Sequence, residues 1–272
     1  MSTFFLIFYS LLGFFGLIYG FLIMFYTLGW YRLRTFDPRG GAGPMTRISV
    51  IVPARNESKN ILMLLNDLLD QTLNGSLFEV IIVDDHSTDG TADLVSRFRD
   101  DHPGLDLKLI RLSNDHQTTA FKKKAIEEAI RVSDGTLIVT TDADCRVGKG
   151  WLESIVSFYE AEKPRMVVGP VSFHNEQSLF EKMQTEEFLS LIAITGGAIR
   201  MNRPIMCNGA NLAYEKKAFY EVGGFGNSRF SSGDDVFLML RIRKIFGSRA
   251  IRFLKNREAI VHTEAKKNVA EF

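Results

Sequence analysis

Apolar residues along this chain fall into three kinds of run. The first is continuous. From Phe4 to Trp30 no residue is charged, and Phe, Leu, Ile and Tyr dominate. About 20 apolar residues cross the hydrocarbon layer as a helix, so residues 4–30 are expected to form a transmembrane helix. A helix this long and apolar on every face rarely sits in a soluble core. A cleaved signal peptide would carry a basic start, a shorter apolar stretch and a small-x-small cleavage site, and this run has none of them. Arg32, Arg34, Arg39 and Arg47 follow the run and nothing basic precedes it. That asymmetry puts the N-terminus outside and the remainder in the cytoplasm, a single pass through the plasma (inner) membrane. Gly16 and Gly20 have the GxxxG spacing that seats a neighbouring helix, although glycine is common in membrane helices. Residues 31–46, rich in Gly and Pro from Asp37 to Pro44, read as a linker.

The second kind of run is short and β-branched. Ile48 to Val52 ends at Pro53, Val80 to Val83 at Asp84-Asp85, and Leu137 to Thr141 at Asp142-Ala143-Asp144; Leu107 to Leu112 is a further strand. The third kind has helical spacing and lies between the strands. Glu57 to Leu69 carries Ile61, Leu64, Leu65 and Leu68. The next helix, capped by Thr88 or Asp89, carries Leu94, Val95 and Phe98, and Phe121 to Val132 is another. Such alternation predicts an α/β domain over residues 47–272, with a mostly parallel sheet flanked by helices. Ligands bind such sheets beyond the carboxyl ends of strands, so Pro53-Ala54-Arg55-Asn56, Asp84-Asp85-His86 and Asp142-Ala143-Asp144 should converge on one crevice.

The second half is less regular. Trp151 to Tyr159 reads as a helix and Met166 to Val171 as a strand. Leu179, Phe180, Met183, Glu187, Leu191 and Ile192 mark a helix with one apolar side, expected to pack in the core, with a place on the membrane surface as the alternative. Asp235 to Ile245 is a further helix, entered through Ser231-Ser232-Gly233-Asp234.

Composition narrows the partners. With 33 Lys+Arg against 32 Asp+Glu in 272 residues, no global charge favours nucleic acid. The two cysteines, Cys145 and Cys207, are expected to be buried reduced thiols rather than a disulfide framework.

The acidic strand ends carry the candidate chemistry. Asp142 and Asp144 put two carboxylates at one chain end, a reasonable first shell for a hard cation such as Mg²⁺ or Mn²⁺ that also binds phosphate oxygens. Asp84 and Asp85 have no role in a simple turn, whereas Ser87 to Gly90 do. Arg55 and Lys122-Lys123-Lys124 are candidate phosphate partners, a solvated helix face being the other reading of the lysines. Gly233-Asp234-Asp235 at a helix start offers a general base, because a helix N-terminus favours the ionised carboxylate.

Together these motifs resemble family 2 glycosyltransferases of the GT-A fold, among them membrane-anchored bacterial polysaccharide and glycolipid synthases. Six ordered segments carry the resemblance, spread over roughly Ile48 to Ala265: Ser49 to Glu57, Val83 to Thr91, Thr141 to Asp144, Asn208 to Tyr214, Gly223 to Phe225 and Gly233 to Leu238. The resemblance implies a transfer of sugar from a nucleotide-diphosphate donor, expected to be a UDP-sugar, to a glycan or lipid acceptor at the cytoplasmic membrane face. It implies that Asp85 contacts the base, with Pro53, Ala54, Arg55 and Glu57 around the nucleotide. Lys122 matches a lysine near the nucleotide, although Phe121 replaces the usual preceding glycine. Asp142 would lie near ribose or sugar, and Asp144, with Asp142, would bind the metal. Asp235 would be the catalytic base of a single inverting displacement. Gly209, Ala210, Asn211 and Asp234 would line the acceptor side. Membrane-bound processive members carry a Gln-x-x-Arg-Trp motif followed by more membrane helices. Only the segment before it, Val261 to Ala265, has a counterpart here, so the natural chain is expected to continue beyond Phe272.

Two other classes compete. Sugar nucleotidyltransferases usually open with a Gly-rich phosphate loop, and Pro53-Ala54-Arg55-Asn56-Glu57 contains no glycine. A non-catalytic nucleotide-sugar-binding assembly protein would not require Asp235 beside Asp142 and Asp144.

Overall fold

A computed structural model describes residues 2–38, 43–112, 121–226 and 233–268, with the side chains of Ser2, Phe121 and Lys122 left out. Residues 39–42 of the expected linker, Ser231-Ser232 and the C-terminal residues 269–272 lie outside the described residues.

Strand β1 (Ile48–Ala54) is buried from Ile48 to Val52 and hydrogen-bonds in parallel to β2 (Phe78–Asp84) on one side and β4 (Leu137–Thr140) on the other. A strand covered on both faces and both edges can carry few polar side chains, which is why these segments are near-continuous apolar runs. The full order is β3-β2-β1-β4-β8-β6-β9, adding β3 (Leu107–Arg111), β6 (Met166–Val168), β8 (Leu212–Glu215) and β9 (Ile251–Phe253). Within this sheet, among the described residues, only β8 runs antiparallel to its neighbours. The expected mostly parallel sheet is therefore present. Helices α2 (Ile61–Leu69), α3 (Thr91–Asp101), α4 (Phe121–Val132) and α5 (Trp151–Glu162) alternate with the first strands, followed by α6 (Leu179–Arg200), α7 (Lys216–Glu221) and α8 (Asp234–Phe246). A second sheet of three short strands has the order β5-β10-β7, with β5 at Arg146–Val147, β7 at Val171–His174 and β10 at Val261–Glu264.

Three expected elements differ. The helix expected from Glu57 begins at Ile61, because residues 55–60 form a loop bound to the neighbouring strand end, and the Glu57 carbonyl accepts from the Asn60 and Ile61 amides. The helix expected to start from a Thr88 or Asp89 cap instead has Gly90 at its N-cap, in the left-handed conformation at φ 85°. The strand expected over Met166–Val171 breaks at Gly169-Pro170 into β6 and β7, which belong to different sheets.

Asn211 explains that last break. It is 1% exposed, and its amide nitrogen donates to the carbonyls of Pro170 and Ala259, both at 2.7 Å. Its amide oxygen accepts from the indole of the fully buried Trp151 at 3.1 Å. A side chain on Gly169 would overlap the same amide. Asn211 thus fastens the chain between the two sheets to α5 and to the segment before β10.

At the sheet's opposite end, Glu79 is fully buried. Its carboxylate accepts from Ser49 Oγ at 2.5 Å and the Asp134 amide at 2.5 Å, and pairs with Lys108 Nζ at 2.6 Å. Burial alone would raise this carboxyl, but the bonds from Lys108, Ser49 and Asp134 outweigh it and hold it below its ordinary value of 4.5.

Helix α1 (Ser2–Arg32) is long and apolar enough to cross a membrane, and its most apolar stretch is unburied. Its last two turns pack on α6. Side chains added at Gly29 or Gly197 would each collide with the other helix's backbone, and one on Gly196 would meet the Trp30 ring. Gly13, Gly16 and Gly20 have open space around them, so the close approach uses other glycines than the GxxxG pair. Lys255 lies over the Trp30 ring, 4.2 Å from its centroid, and hydrogen-bonds the carbonyls of Trp30 and Leu33. A cation suits this end of the helix dipole. The expectation that α6 packs in the core holds only for its second half. Ile192 and Thr195 to Ile199 are buried, whereas Leu179 and Met183 are 76% and 63% exposed.

Two substitutions test this account. Replacing Asn211 by Ala leaves two carbonyls and one indole N–H unsatisfied, and should cost about 2–5 kcal/mol in denaturant unfolding. Lys108→Met strands the buried Glu79 carboxylate and should cost about 1–3 kcal/mol at neutral pH. Because the folded pKa of Glu79 is depressed, its contribution is present above its unfolded value and fades as pH falls through the folded one. The difference between Lys108→Met and the native chain should therefore shrink below about pH 4.5.

Candidate functional site

The parallel register places Ala54 level with Asp84, so β1 and β2 end together. Their following loops are bound by side-chain contacts. Asn56, at φ 57°, accepts from the Thr88 amide at 2.9 Å and donates its own amide to Ser87 Oγ at 2.9 Å. The Glu57 amide donates to Thr91 Oγ1 at 2.8 Å, and that of Ser58 to Asp89 at 2.9 Å. The Thr91 hydroxyl, the Ser58 amide and the Thr91 amide hold the Asp89 carboxyl far below the usual range. The Ser87 to Gly90 segment therefore works as a fastener, leaving Asp84 and Asp85 to face the strand ends.

Beyond those ends lies a cavity of about 330 Å³ lined by Pro53, Ala54, Arg55, Glu57, Asp85, Asp142, Ala143 and Asp144. Three separate strand ends contribute to it. Asp85 is nearly buried; one carboxylate oxygen is 2.8 Å from His86 Nδ1 and the other 3.7 Å from Arg55. Asp84 Oδ1 is buried without a hydrogen-bond partner among the described residues. Lys122 stands in the first turn of α4, with its side chain outside the described residues. Lys123 turns elsewhere: its ammonium contacts the Gly226 carbonyl and lies near Glu127 and Asp234.

The cavity carries excess negative charge. Burial, then repulsion from Asp144, Asp89 and Asp142, raises Glu57 despite a hydrogen bond from Asn60. Burial and the same pair, Asp142 and Asp144, push the Cys145 thiol up to about 12. A hard divalent cation would relieve this repulsion, and Asp144 with Asp142 supplies the oxygen chemistry it prefers. Among the described residues no three His, Cys, Asp or Glu side chains converge to hold a metal unaided, so phosphate or water oxygens would complete the shell.

Asp235 sits in the first turn of α8, beside Asp234 and after Gly233 at φ 84°. Its carboxylate lies against Gly209, where any side chain would collide with it. The Gly209 carbonyl accepts from the Thr140 hydroxyl at 2.8 Å, two residues before Asp142. One short chain of contacts thus joins the end of β4 to Asp235. Burial and Asp235 push the Cys207 thiol strongly up, and both cysteines are free. Asp234 departs from the expected helix-terminus effect: burial raises its carboxyl, Lys123 offsets this only in part, and Oδ1 has no hydrogen-bond partner among the described residues.

Of the four residues assigned to the acceptor side, Gly209 and Asp234 are accessible in part, and Ala210 is nearly buried. Asn211 is buried, and its amide is engaged in the bonds described above.

Sequence reasoning missed a histidine pair. His174 on β7 and His262 on β10 pack edge to face, ring centroids 5.9 Å apart. His174 Nε2 and His262 Nδ1 are buried without partners among the described residues. Burial, then His174, pushes His262 down. His174 lines a hollow of about 220 Å³ that shares Asp144 with the main cavity. The two residues lie 88 positions apart, and only the parallel pairing of β10 with β7 brings them together.

Comparison with known proteins agrees with this geometry. Residues 49–223 match the model of the family described as "Glycosyl transferase family 2". The chain is 28% identical over 195 residues to Glycosyltransferase AglE of Haloferax volcanii, covering 69% of this chain and 58% of that protein. It is 33% identical over 116 residues to the poly(ribitol-phosphate) β-N-acetylglucosaminyltransferase TarS of Staphylococcus aureus, covering 43% of this chain and 19% of that one. The chain therefore spans less than two thirds of each of these relatives. Among solved structures, mannosyltransferase PcManGT from Pyrobaculum calidifontis, in complex with GDP-Man and Mn²⁺, superposes with a TM-score of 0.67 at 22% identity, over 92% of this chain and 66% of that one. TarS 1–349 in complex with UDP-GlcNAc gives 0.59 at 21% identity, over 83% and 60%. The fold is GT-A, and with its family match covering 49–223 the chain belongs to glycosyl transferase family 2.

Proposed function

We propose that this protein is an inverting glycosyltransferase that moves a sugar from a nucleotide-diphosphate donor to a glycan or lipid acceptor at the cytoplasmic face of the membrane. The observation that carries the reading is the cavity at three strand ends, joined to Asp235 through Thr140 and Gly209. The donor's nucleotide occupies the pocket of Pro53, Ala54, Arg55, Glu57 and Asp85, with Lys122 near its phosphates. Asp85, held by His86 and Arg55, accepts from the base or ribose. Asp142 lies toward ribose and sugar. Asp144, assisted by Asp142, would hold Mg²⁺ or Mn²⁺, which would supply positive charge against the departing diphosphate. Asp235 takes the proton of the acceptor hydroxyl while that oxygen attacks the anomeric carbon and the diphosphate leaves with the bonding electrons. Gly209 keeps the space that this carboxylate needs.

The donor is read as a UDP-sugar, in keeping with the UDP-GlcNAc bound by TarS, while PcManGT binds GDP-Man. A screen of nucleotide-sugars with membrane fractions, reading product mass, decides between them. Transfer or donor hydrolysis also separates an enzyme from a purely binding assembly protein, and nucleotidyl transfer from sugar 1-phosphate would reveal the competing enzyme class.

The apolar α1 and the arginines after it support a membrane anchor with the catalytic domain in the cytoplasm. The protein should stay in the membrane pellet through salt and alkaline carbonate washes and require detergent for release. Recovery of intact chain in the carbonate supernatant would contradict the anchor.

Asp235→Asn keeps the size of the side chain but removes the base. General base assistance is worth about 10²–10⁴-fold, so transfer should fall by that order with donor affinity little changed. Asp144→Asn should instead weaken metal-dependent donor binding first. A full loss of transfer in Asp234→Asn, with Asp235→Asn active, would move the base by one residue.

A further inference from the structure

A second hollow, of about 260 Å³, opens where α1 leaves its apolar stretch. It lies beside β9, the far edge strand, with β8 and β6 between it and β4, so it is separate from the donor cavity. Leu33 and Phe253 supply apolar wall, while Arg34, Arg200 and Arg252 bring three guanidinium groups against one carboxylate, Glu162. Glu162 is 3.9 Å from Arg252. Neither Arg34 nor Arg200 has an acidic partner within 4.0 Å among the described residues. Arg200 is instead aimed by α1 itself, since its Nε donates to the Arg32 carbonyl at 3.0 Å. The hollow therefore holds more positive charge than the protein neutralises.

We propose that this hollow binds the phosphate headgroup of an anionic lipid, and so fixes the catalytic domain against the bilayer. Guanidinium groups pair with phosphate oxygens in bidentate fashion. The apolar wall gives a lipid's glycerol region contact that a free inorganic anion cannot use. The position suits a lipid as well: Arg34 comes within four residues of Trp30 and Tyr31, aromatic residues of the kind that settle at the membrane interface. The assignment rests on the membrane anchoring proposed above.

The test uses the full chain in a neutral detergent, followed by tryptophan fluorescence. The chain has two tryptophans, and Trp151 is fully buried, while Trp30 packs on Phe253, ring centroids 6.0 Å apart. Dihexanoyl phosphatidylglycerol should give a saturable change and dihexanoyl phosphatidylcholine none. Inorganic phosphate should need at least about tenfold higher concentration. A basic residue near an anionic surface contributes about fivefold in affinity. The pair Arg34→Gln with Arg252→Gln should therefore weaken binding by about 25-fold, and Arg97→Gln, on α3, should change nothing. Glu162→Gln removes the competing carboxylate and should tighten binding severalfold, which keeps the test sound if the double variant folds poorly. Equal response to both lipids, phosphate binding as tight as the glycerol lipid, or unchanged affinity in both hollow variants would overturn the proposal. Carbonate extraction reports on the anchor alone. A chain that stays in the pellet but shows a flat titration refutes only the headgroup site, whereas a soluble chain refutes the anchor whatever the titration gives.

Discussion

A strand hydrogen-bonded in parallel on both sides has room for polar side chains mainly at its ends. β1 is such a strand, and because β2 and β4 run with it, all three present their carboxyl ends to the same edge. Parallel pairing therefore does more than build a core. It gathers Ala54, Asp84 and Asp142, which are far apart in sequence, at one end of the sheet. The opposite edge carries its own burden of charge, but there Glu79 is paired with Lys108. At one end of the sheet a carboxylate is buried against a lysine, and at the other several face a cavity where Glu57 is raised by burial and then by its acidic neighbours. That contrast separates stabilising charge from charge available to a ligand.

The antiparallel strand β8 adds a second constraint. It brings the 208–211 turn back beside β4, so that the Thr140 hydroxyl reaches the Gly209 carbonyl. Gly209 then sets how near α8 can approach. The turn is held from behind by Asn211, whose three hydrogen bonds reach three other parts of the chain. Placement of Asp235 thus depends on a strand, a glycine and a buried amide.

The first half of the fold was legible because its strands are buried on both faces and its helices on one, which writes two different periods into the sequence. The residues of the cavity at the strand ends were legible for the same reason: polar residues that abruptly end an apolar run stand out. The second half hid its structure in strands of two to four residues, such as β5 and β9, too short to show alternation. The resemblance alone suggested an acceptor-side place for Asn211, and an asparagine between Ala210 and Leu212 carries no mark of burial; only the tertiary positions of Pro170, Ala259 and Trp151 reveal it as a fastening. Likewise His174 and His262 meet through strand pairing that no local pattern encodes. The break at Gly169-Pro170 was foreseeable from proline chemistry, yet the apolar run on either side concealed it.

At the crossing of α1 and α6, the backbones of Gly29 and Gly197 touch with no side chain between them. Contact at that range leaves little play. If α1 is embedded in a bilayer as proposed, the domain would resemble a lamp on a rigid stem more than a buoy on a tether: its cavity would be held at one height and tilt. Acceptors would then be chosen partly by how far their reactive hydroxyl stands from the lipid surface, a ruler set by two hydrogen atoms where side chains would otherwise be.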